Sequence, residues 1–310
     1  MQELLIIGAG PTALTTAVYT TREDIDTVLV EKAVIGGMAA ITDWIDNYPG
    51  FPDGISGMDL SENLRKQAER FGAKIEVDQV LSIEPKNGYI SVKTYEGERQ
   101  AKSVLIATGT EYKKIGVPGE EEYISRGVHY CATCDGAFYR DKNIAVVGGG
   151  NSAVQEALFL TKFASHIDLL VRGDSFRASD VLVHELNKNP KITVHMNTTT
   201  DEIVGDGTKV GSVKCTDKIS GKQVDFKVDG VFVFVGLKPN TSFLGDTIEL
   251  DEYGFIKTNT DLETNISGVF AAGDVRSGAT MQIASAVGEG ATAALKIREY
   301  LKEHAKQENN

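Results

Sequence analysis

The chain is short of cysteine, of long apolar runs and of positive charge, and each shortage closes off a class of protein. Three cysteines in 310 residues are too few, and odd in number, for a secreted fold stapled by disulfides. No apolar run approaches the ~20 residues that a membrane-crossing helix needs. The opening residues enter an apolar stretch with neither the basic flank nor the cleavage site of a signal peptide. A cytoplasmic protein with no membrane partner is the expectation. The formal net charge of −12 argues against nucleic acid as a partner, which calls for a basic stripe. It leaves phosphate-bearing small molecules open, because backbone amides at a helix start hold phosphate without net positive charge. What is present, 41% hydrophobic and 25% charged residues, is ordinary for a globular protein, and the length suffices for two cores. The polar stretch 302–310 is expected to fray.

One unit of sequence occurs twice. Residues 4–7 read as a strand, Gly8-Ala9-Gly10-Pro11 as a turn, 12–21 as a helix, and 27–30 as a second strand closed by Glu31. At residue 143 the pattern returns: a strand over 144–147, the turn Gly148-Gly149-Gly150, a helix over 152–163, a strand over 167–171. Two copies of a βαβ unit predict an α/β chain of two Rossmann-like, three-layer nucleotide-binding domains. Strands are also expected at 89–94, 103–107, 211–216, 224–228 and 231–235, and a long helix at 282–301. The C-terminal stretch reads as a return to the first domain. The second domain, 114–243, would thus be inserted into a discontinuous first one, 1–113 and 244–310, with crossings near 111–114 and 242–246.

Gly8-Ala9-Gly10-Pro11-Thr12-Ala13 fits the dinucleotide fingerprint. The first glycine allows the turn, the second admits a pyrophosphate, and the third position must be small for helix and strand to pack. Glu31 ends the next strand, where a carboxylate can accept ribose hydroxyls. The second loop offers Gly148, Gly150, Asn151, Ser152 and Ala153 in the same grammar.

Just before that second loop stands Cys131-Ala132-Thr133-Cys134-Asp135-Gly136. C-x-x-C spacing closes a small reversible ring and lowers one thiol's pKa. A zinc site would need two further ligands at short spacing, and Cys215 stands alone in a strand-like run, so no metal is expected. The redox reading competes with two small buried hydrophobes near a turn.

Taken in order, Gly36-Gly37, Asn47-Tyr48-Pro49-Gly50, Ala107-Thr108-Gly109 and Ala272-Gly273-Asp274 resemble the flavoprotein disulfide reductases. With Cys131–Gly136, Arg126–Val128, the loop 148–153, Val233–Thr241 and Val269–Asp274, the chain resembles the bacterial-type, low-molecular-weight thioredoxin reductases over essentially its whole length. Larger relatives need a further dimerisation domain and carry redox cysteines soon after the first loop, where this chain has Gly36-Gly37-Met38. The resemblance implies FAD on the first domain, held by the fingerprint residues with Lys32, Gly36, Gly37, Met38, Thr42, Asn47 and Val80. It adds Ala107, Thr108, Gly109, Gly273, Asp274, Met281, Gln282 and Ile283. It implies NADPH or NADH on the second domain, held by the loop 148–153 with Arg172, Arg177 and Gly236. Cys134 would face the flavin, Cys131 would attack the partner disulfide, and Asp135 would protonate the departing thiolate. Without the resemblance, Asp135 reads as a turn or cap residue. Thioredoxin or a thioredoxin-like protein is the implied partner, a homodimer the implied assembly, and rotation of the second domain the implied motion.

The resemblance breaks at Val171-Arg172-Gly173, where the family's NADPH enzymes carry His-Arg-Arg to hold a 2′-phosphate. Each charge-assisted bond is worth about 1.5–3 kcal/mol, so losing one or two weakens NADPH preference by roughly one to two orders of magnitude or more. No acidic residue replaces the histidine to grip a ribose 2′-hydroxyl. Relaxed or NADH-leaning use is the expectation. Ala137 interrupts an aromatic pair that grips thioredoxin in the family and leaves Phe138 alone; Met281 replaces a commonly basic residue beside the flavin. The alternatives are a reductase for another disulfide partner, a ferredoxin-fed flavoprotein, against which the intact second loop argues, and a flavoprotein scaffold or sensor without turnover.

Overall fold

The structure, a computed structural model, describes residues 1–42 and 44–308. It divides into two units, Met1–Glu111 with Lys238–Asn310, and Tyr112–Leu237. In the first unit, Gln2–Ile7 lies between Thr27–Glu31 and Glu98–Ile106, parallel to both, with Lys74–Val77 beyond Thr27–Glu31 at one edge. Val269–Ala271 joins Glu98–Ile106 in parallel at Val104, Leu105 and Ile106. The other half of that long strand pairs antiparallel with Tyr89–Thr94, which pairs with Val80–Lys86.

A central parallel strand must be covered on both faces, which is why its buried part, Leu4–Ile7, is a continuous apolar run. Its side chains alternate between two cores. Leu4 and Ile6 join Leu14, Ala17 and Ile297 on the helical face, and Leu5 and Ile7 join Val92, Val104 and Ile248 on the other. Each leucine removed from water here is worth ~1.5–3 kcal/mol.

Proline at its first position helps start the Pro11–Thr21 helix, since its fixed φ suits that turn and its missing N–H costs nothing there. This helix packs closely on Ile283–Glu308 at Gly290. A Cβ on that glycine would lie 2.5 Å from the Thr12 carbonyl oxygen, and Thr16 Oγ1 donates to Gly290 O at 2.9 Å.

The second unit repeats the plan. Asn143–Val147 lies between Gly230–Val233 and His166–Leu170, with Val128–His129 and Ile192–His195 at the edges, all parallel. An antiparallel sheet of Thr198–Gly205, Val210–Asp217 and Gln223–Lys227 accompanies it. The helix Asn151–Leu160 covers one face through Val154, Ala157 and Leu160.

Three expectations change. The C-terminal helix runs to Glu308 rather than ending at 301, so the frayed tail is not seen up to there; 309–310 lie outside the described residues. The helix expected over 152–163 ends at Leu160. The second crossing falls at Leu237–Lys238, upstream of 242–246, because Ser242–Leu244 is a short 3-10 turn whose Leu244 belongs to the first unit's core.

Candidate active site

Gly8 turns with φ +106°, and a Cβ there would stand 2.6 Å from the Ala107 carbonyl oxygen. The expected Ala107-Thr108-Gly109 segment thus backs the first loop. Gly10 caps the helix in extended conformation without a side-chain hydrogen bond, and the space where its Cβ would project is open. Unpartnered amides at an uncapped helix start suit a pyrophosphate. The buried Glu31 accepts the Ala9 N–H and the Ala33 N–H, both at 2.8 Å. It therefore fixes the loop.

Gly36 and Gly37 adopt φ +101° and +55°. The Gly36 N–H reaches Ala9 O at 2.7 Å, and a Cβ on Gly37 would lie 3.6 Å from Gly10 Cα, so both glycines close on the fingerprint. From the far end of the chain, a Cβ on Gly273 would fall 2.3 Å from Thr12 Oγ1. A cleft lined by Gly8, Glu31, Lys32, Val80 and Thr108 gathers further expected residues. Thr108 and Asn240 are stapled reciprocally, Thr108 Oγ1 to Asn240 O at 2.8 Å and Asn240 Nδ2 to Thr108 O at 2.9 Å. Asn47 Nδ2 donates to Gln282 Oε1 at 3.1 Å. Thr42 donates its hydroxyl to Met38 O at 2.9 Å. Met281, two residues before the partly buried Ile283, is held in the left-handed region at φ +57°.

Burial first, then the Glu289 charge, pushes the Asp274 carboxyl up to about 6. Glu289 itself accepts the Gly273 N–H at 2.7 Å and is paired with Arg276. Neither Glu289 nor Arg276 was singled out from sequence, where a Gly-Glu-Gly in a helix carries no sign of what it touches.

In the second unit, Gly148 turns with φ +148° and would place a Cβ 2.4 Å from Phe234 O. Gly150 is again an extended cap without a side-chain bond. The Cβ on Gly148 would also stand 2.7 Å from the Ala153 Cβ, so the loop glycine lets the helix start close in. Asn151 Oδ1 accepts the Ser179 N–H at 2.8 Å, and the Arg177 N–H reaches Gly149 O at 2.8 Å. Val171 is buried, its Cγ1 2.7 Å from a Cβ position on Gly149, so it packs under the loop. Arg172 and Arg177 are exposed. Lys218 Nζ reaches Arg172 O at 3.4 Å, a cation 46 positions away that sequence reading missed. The Gly236 carbonyl accepts the Lys113 N–H at 3.0 Å.

Cys131 and Cys134 form a disulfide, with Cα atoms 5.3 Å apart. Cys131 caps the short helix Ala132–Asp135 by accepting the Cys134 N–H at 3.2 Å. A Cβ on Gly136 would sit 2.8 Å from Leu160 Cδ2, so the redox segment rests directly on the Asn151–Leu160 helix. Phe138 stands half out in solvent beside the exposed Ala137. Cys215 is fully buried in the antiparallel sheet, and burial pushes its thiol up to about 12; it is no nucleophile.

Asp135 does more than end a turn. Its Oδ2 lies 3.2 Å from Nδ1 of the buried His129, whose Nε2 lies 2.6 Å from the Tyr139 hydroxyl. Neither partner was expected from sequence. Among the described residues no group of three or more histidine, cysteine or acidic side chains could hold a metal, and no helix is long and apolar enough to cross a membrane.

The profile of the pyridine nucleotide-disulphide oxidoreductase family matches residues 2–290. The chain is 42% identical to a thioredoxin reductase of Bacillus subtilis over 97% of this chain and 95% of that one. A thioredoxin reductase structure from Streptococcus pyogenes superposes with a TM-score of 0.92 at 40% identity, covering 98% of this chain and 99% of that one. One from Giardia duodenalis gives 0.91 at 34% identity, covering 97% and 99%.

Proposed function

The chain belongs to the pyridine nucleotide-disulphide oxidoreductase family, and we propose that its residues divide the work of a thioredoxin-disulfide reductase as follows. The enzyme is FAD- and NAD(P)H-dependent and passes electrons to thioredoxin through the Cys131–Cys134 pair. The observation that carries this reading is a disulfide on a short helix, seated against the helix that opens from a second glycine-rich loop.

The first unit suits FAD. Its helix start at Gly10 is uncapped and sterically open, Glu31 is in place, and the half-buried Asp274 holds its proton up to about pH 6. Gly8–Ala13 and Gly36–Met38 would hold the pyrophosphate and its surroundings, with Glu31 at the ribose. Asp274, Asn47 and Gln282 would lie toward the flavin end. Bound FAD supplies a two-electron couple between the nicotinamide and the disulfide. Gly148–Ala153, Arg172 and Arg177 would hold the nicotinamide dinucleotide, with relaxed or NADH-leaning choice.

At the disulfide the chain's own residues do the rest. Thiol–disulfide exchange needs an attacking thiolate and a proton for the leaving sulfur. Cys131 would attack the partner, Cys134 would close the ring behind it, and Asp135 would supply and recover the proton. Phe138 offers an apolar foothold for the partner, thioredoxin or a thioredoxin-like protein. Family resemblance further supports a homodimer, and one redox pair among three cysteines suits the cytoplasm.

The test is spectroscopic. The purified protein should show a flavin spectrum that bleaches with NADH or NADPH and recovers when thioredoxin is added. No bleaching by either nicotinamide would sink the donor assignment; bleaching without thioredoxin reduction would point to another disulfide partner.

A further inference from the structure

Asp135 is bonded to a buried ring that is itself bonded to a buried phenol. His129 ends the Val128–His129 strand and is almost fully enclosed. Its ring stacks on Phe232 with centroids 5.1 Å apart and meets the Tyr139 ring edge-on at 5.2 Å. Both ring nitrogens are used, Nδ1 by Asp135 at 3.2 Å and Nε2 by Tyr139 at 2.6 Å. Tyr139 is pinned in turn, because Gly230 leaves it room: a Cβ there would stand 2.3 Å from Tyr139 Cε1. A buried histidine needs partners for both nitrogens whatever its task. Here, however, one partner is the carboxylate next to Cys134.

We propose that His129 is the proton reserve of Asp135, a positioning residue that shares one proton with that carboxylate while Tyr139 fixes its ring. This rests on the disulfide reductase reading. The pair can carry the proton in two places, as carboxylic acid and neutral imidazole or as carboxylate and imidazolium, and both arrangements satisfy the contacts. When the Cys131–Cys134 bond takes up two electrons from the reduced flavin, the S–S bond breaks. One sulfur remains a thiolate and the other takes a proton from Asp135. That is the one shared proton, whether it stood on the carboxyl or passed through it from the imidazolium, so the pair is left as a carboxylate beside a neutral ring still in contact with Asp135 and Tyr139. When the dithiol is later oxidised by its partner disulfide, the thiol proton returns to the pair and the balance is restored.

The titratable groups facing the ring are Asp135 and Tyr139; Asp229 acts through space on Tyr139, whose phenol burial keeps protonated. Without His129, Asp135 loses the ring that hands its proton back.

The test uses the flavin-loaded enzyme with NADH or NADPH and a small aromatic disulfide as acceptor, from about pH 5.5 to 9. His129→Asn keeps a donor toward Asp135 but cannot carry the proton. Its rate should fall by roughly 10²-fold at alkaline pH, with the alkaline limb displaced to lower pH by about one unit or more, while the rate recovers in acid. Tyr139→Phe should displace the limb less. A limb that stays in place in His129→Asn, or a loss equal at every pH, means a merely structural ring and overturns the proposal. If His129→Asn loses flavin or melts early, the wild-type enzyme decides. The ring-nitrogen resonances of His129 must shift between the oxidised and the two-electron-reduced forms, and unchanged resonances overturn the proposal equally. Because the acceptor is a small disulfide, an enzyme that ignores thioredoxin still answers the question. An enzyme that reduces thioredoxin with an unmoved limb sinks only the relay.

Discussion

Tyr130 donates its phenol to Glu120 Oε1 at 2.9 Å, and this bond ties the residue before Cys131 to a carboxylate with no solvent exposure at all. Glu120 also accepts the Ile115 N–H at 3.0 Å and the Gly116 N–H at 2.7 Å, so three donors hold a buried charge that would otherwise be costly. Burial and Glu120 together push the Tyr130 phenol far up, so it stays a donor throughout the working range. Glu120→Ala strands all three donors and should cost about 2–4 kcal/mol, read as a lower urea midpoint. Tyr130→Phe removes one bond and should cost about 1 kcal/mol. An Ala variant with the wild-type midpoint would refute the assignment.

Asp274 sets a pH dependence with a definite sign. Burial and Glu289 raise its folded value to about 6 from an ordinary 3.8. A raised carboxyl favours the folded chain fully below its unfolded value, and that contribution is lost as pH rises through about 6. In flavin-free protein, Asp274→Asn should therefore be more stable than wild type at pH 8, by about 1–3 kcal/mol. The gap should close toward pH 4. The same variant should retain FAD less well, by about tenfold, for loss of a hydrogen-bonding carboxyl. Equal unfolding midpoints at both pH values would count against the shift.

How legible this was in the sequence depended on distance along the chain. The strands at Leu4–Ile7 and Ile144–Val147 declare themselves because both sheet faces are buried, which forces a continuous apolar run. The Gly8 and Gly148 turns and the C-x-x-C pair carry their chemistry in local spacing. Lys74–Val77 was not seen, being four residues at a sheet edge with none of them buried. His129 drew no notice in the sequence, since nothing local says that its ring faces Asp135. Lys218 and Glu289 act on Arg172 and Gly273 from other elements, and only the folded topology brings them there.

Gly230 is a glycine because of Tyr139. Its backbone is an ordinary strand, but a Cβ would stand 2.3 Å from the phenol ring, and that ring is wedged between His129 and Phe232. Gly230→Ala should cost about 1–3 kcal/mol from overpacking. It should also lower disulfide reduction at alkaline pH more than at acid pH, in the manner of Tyr139→Phe. A stable variant with an unaltered pH profile would show that the ring position is not critical.

The nicotinamide loop makes the last prediction. Val171 is spent on packing beneath Gly149, so the strand end offers no ligand to a 2′-phosphate, and Gly173 has no side chain to offer. Arg172 and Arg177 remain exposed, and Lys218 reaches the Arg172 carbonyl at 3.4 Å, so a reduced cationic rim survives. Nor does a carboxylate replace the histidine of the NADPH pattern to select the free 2′-hydroxyl. The two donors should thus be used at comparable efficiency, with kcat/KM for NADPH less than about a hundredfold above that for NADH. Arg172→Ala and Arg177→Ala should each lower kcat/KM for NADPH by about tenfold or more and leave that for NADH within a few-fold, since on the proposed assignment each would remove one charge-assisted phosphate contact. Steady-state kinetics with both donors at low salt decides the matter, because the phosphate contribution is screened as salt rises. A wild-type preference for NADPH beyond a hundredfold would mean that Arg172, Arg177 and Lys218 together grip the phosphate as firmly as a full set of three basic side chains at the strand end.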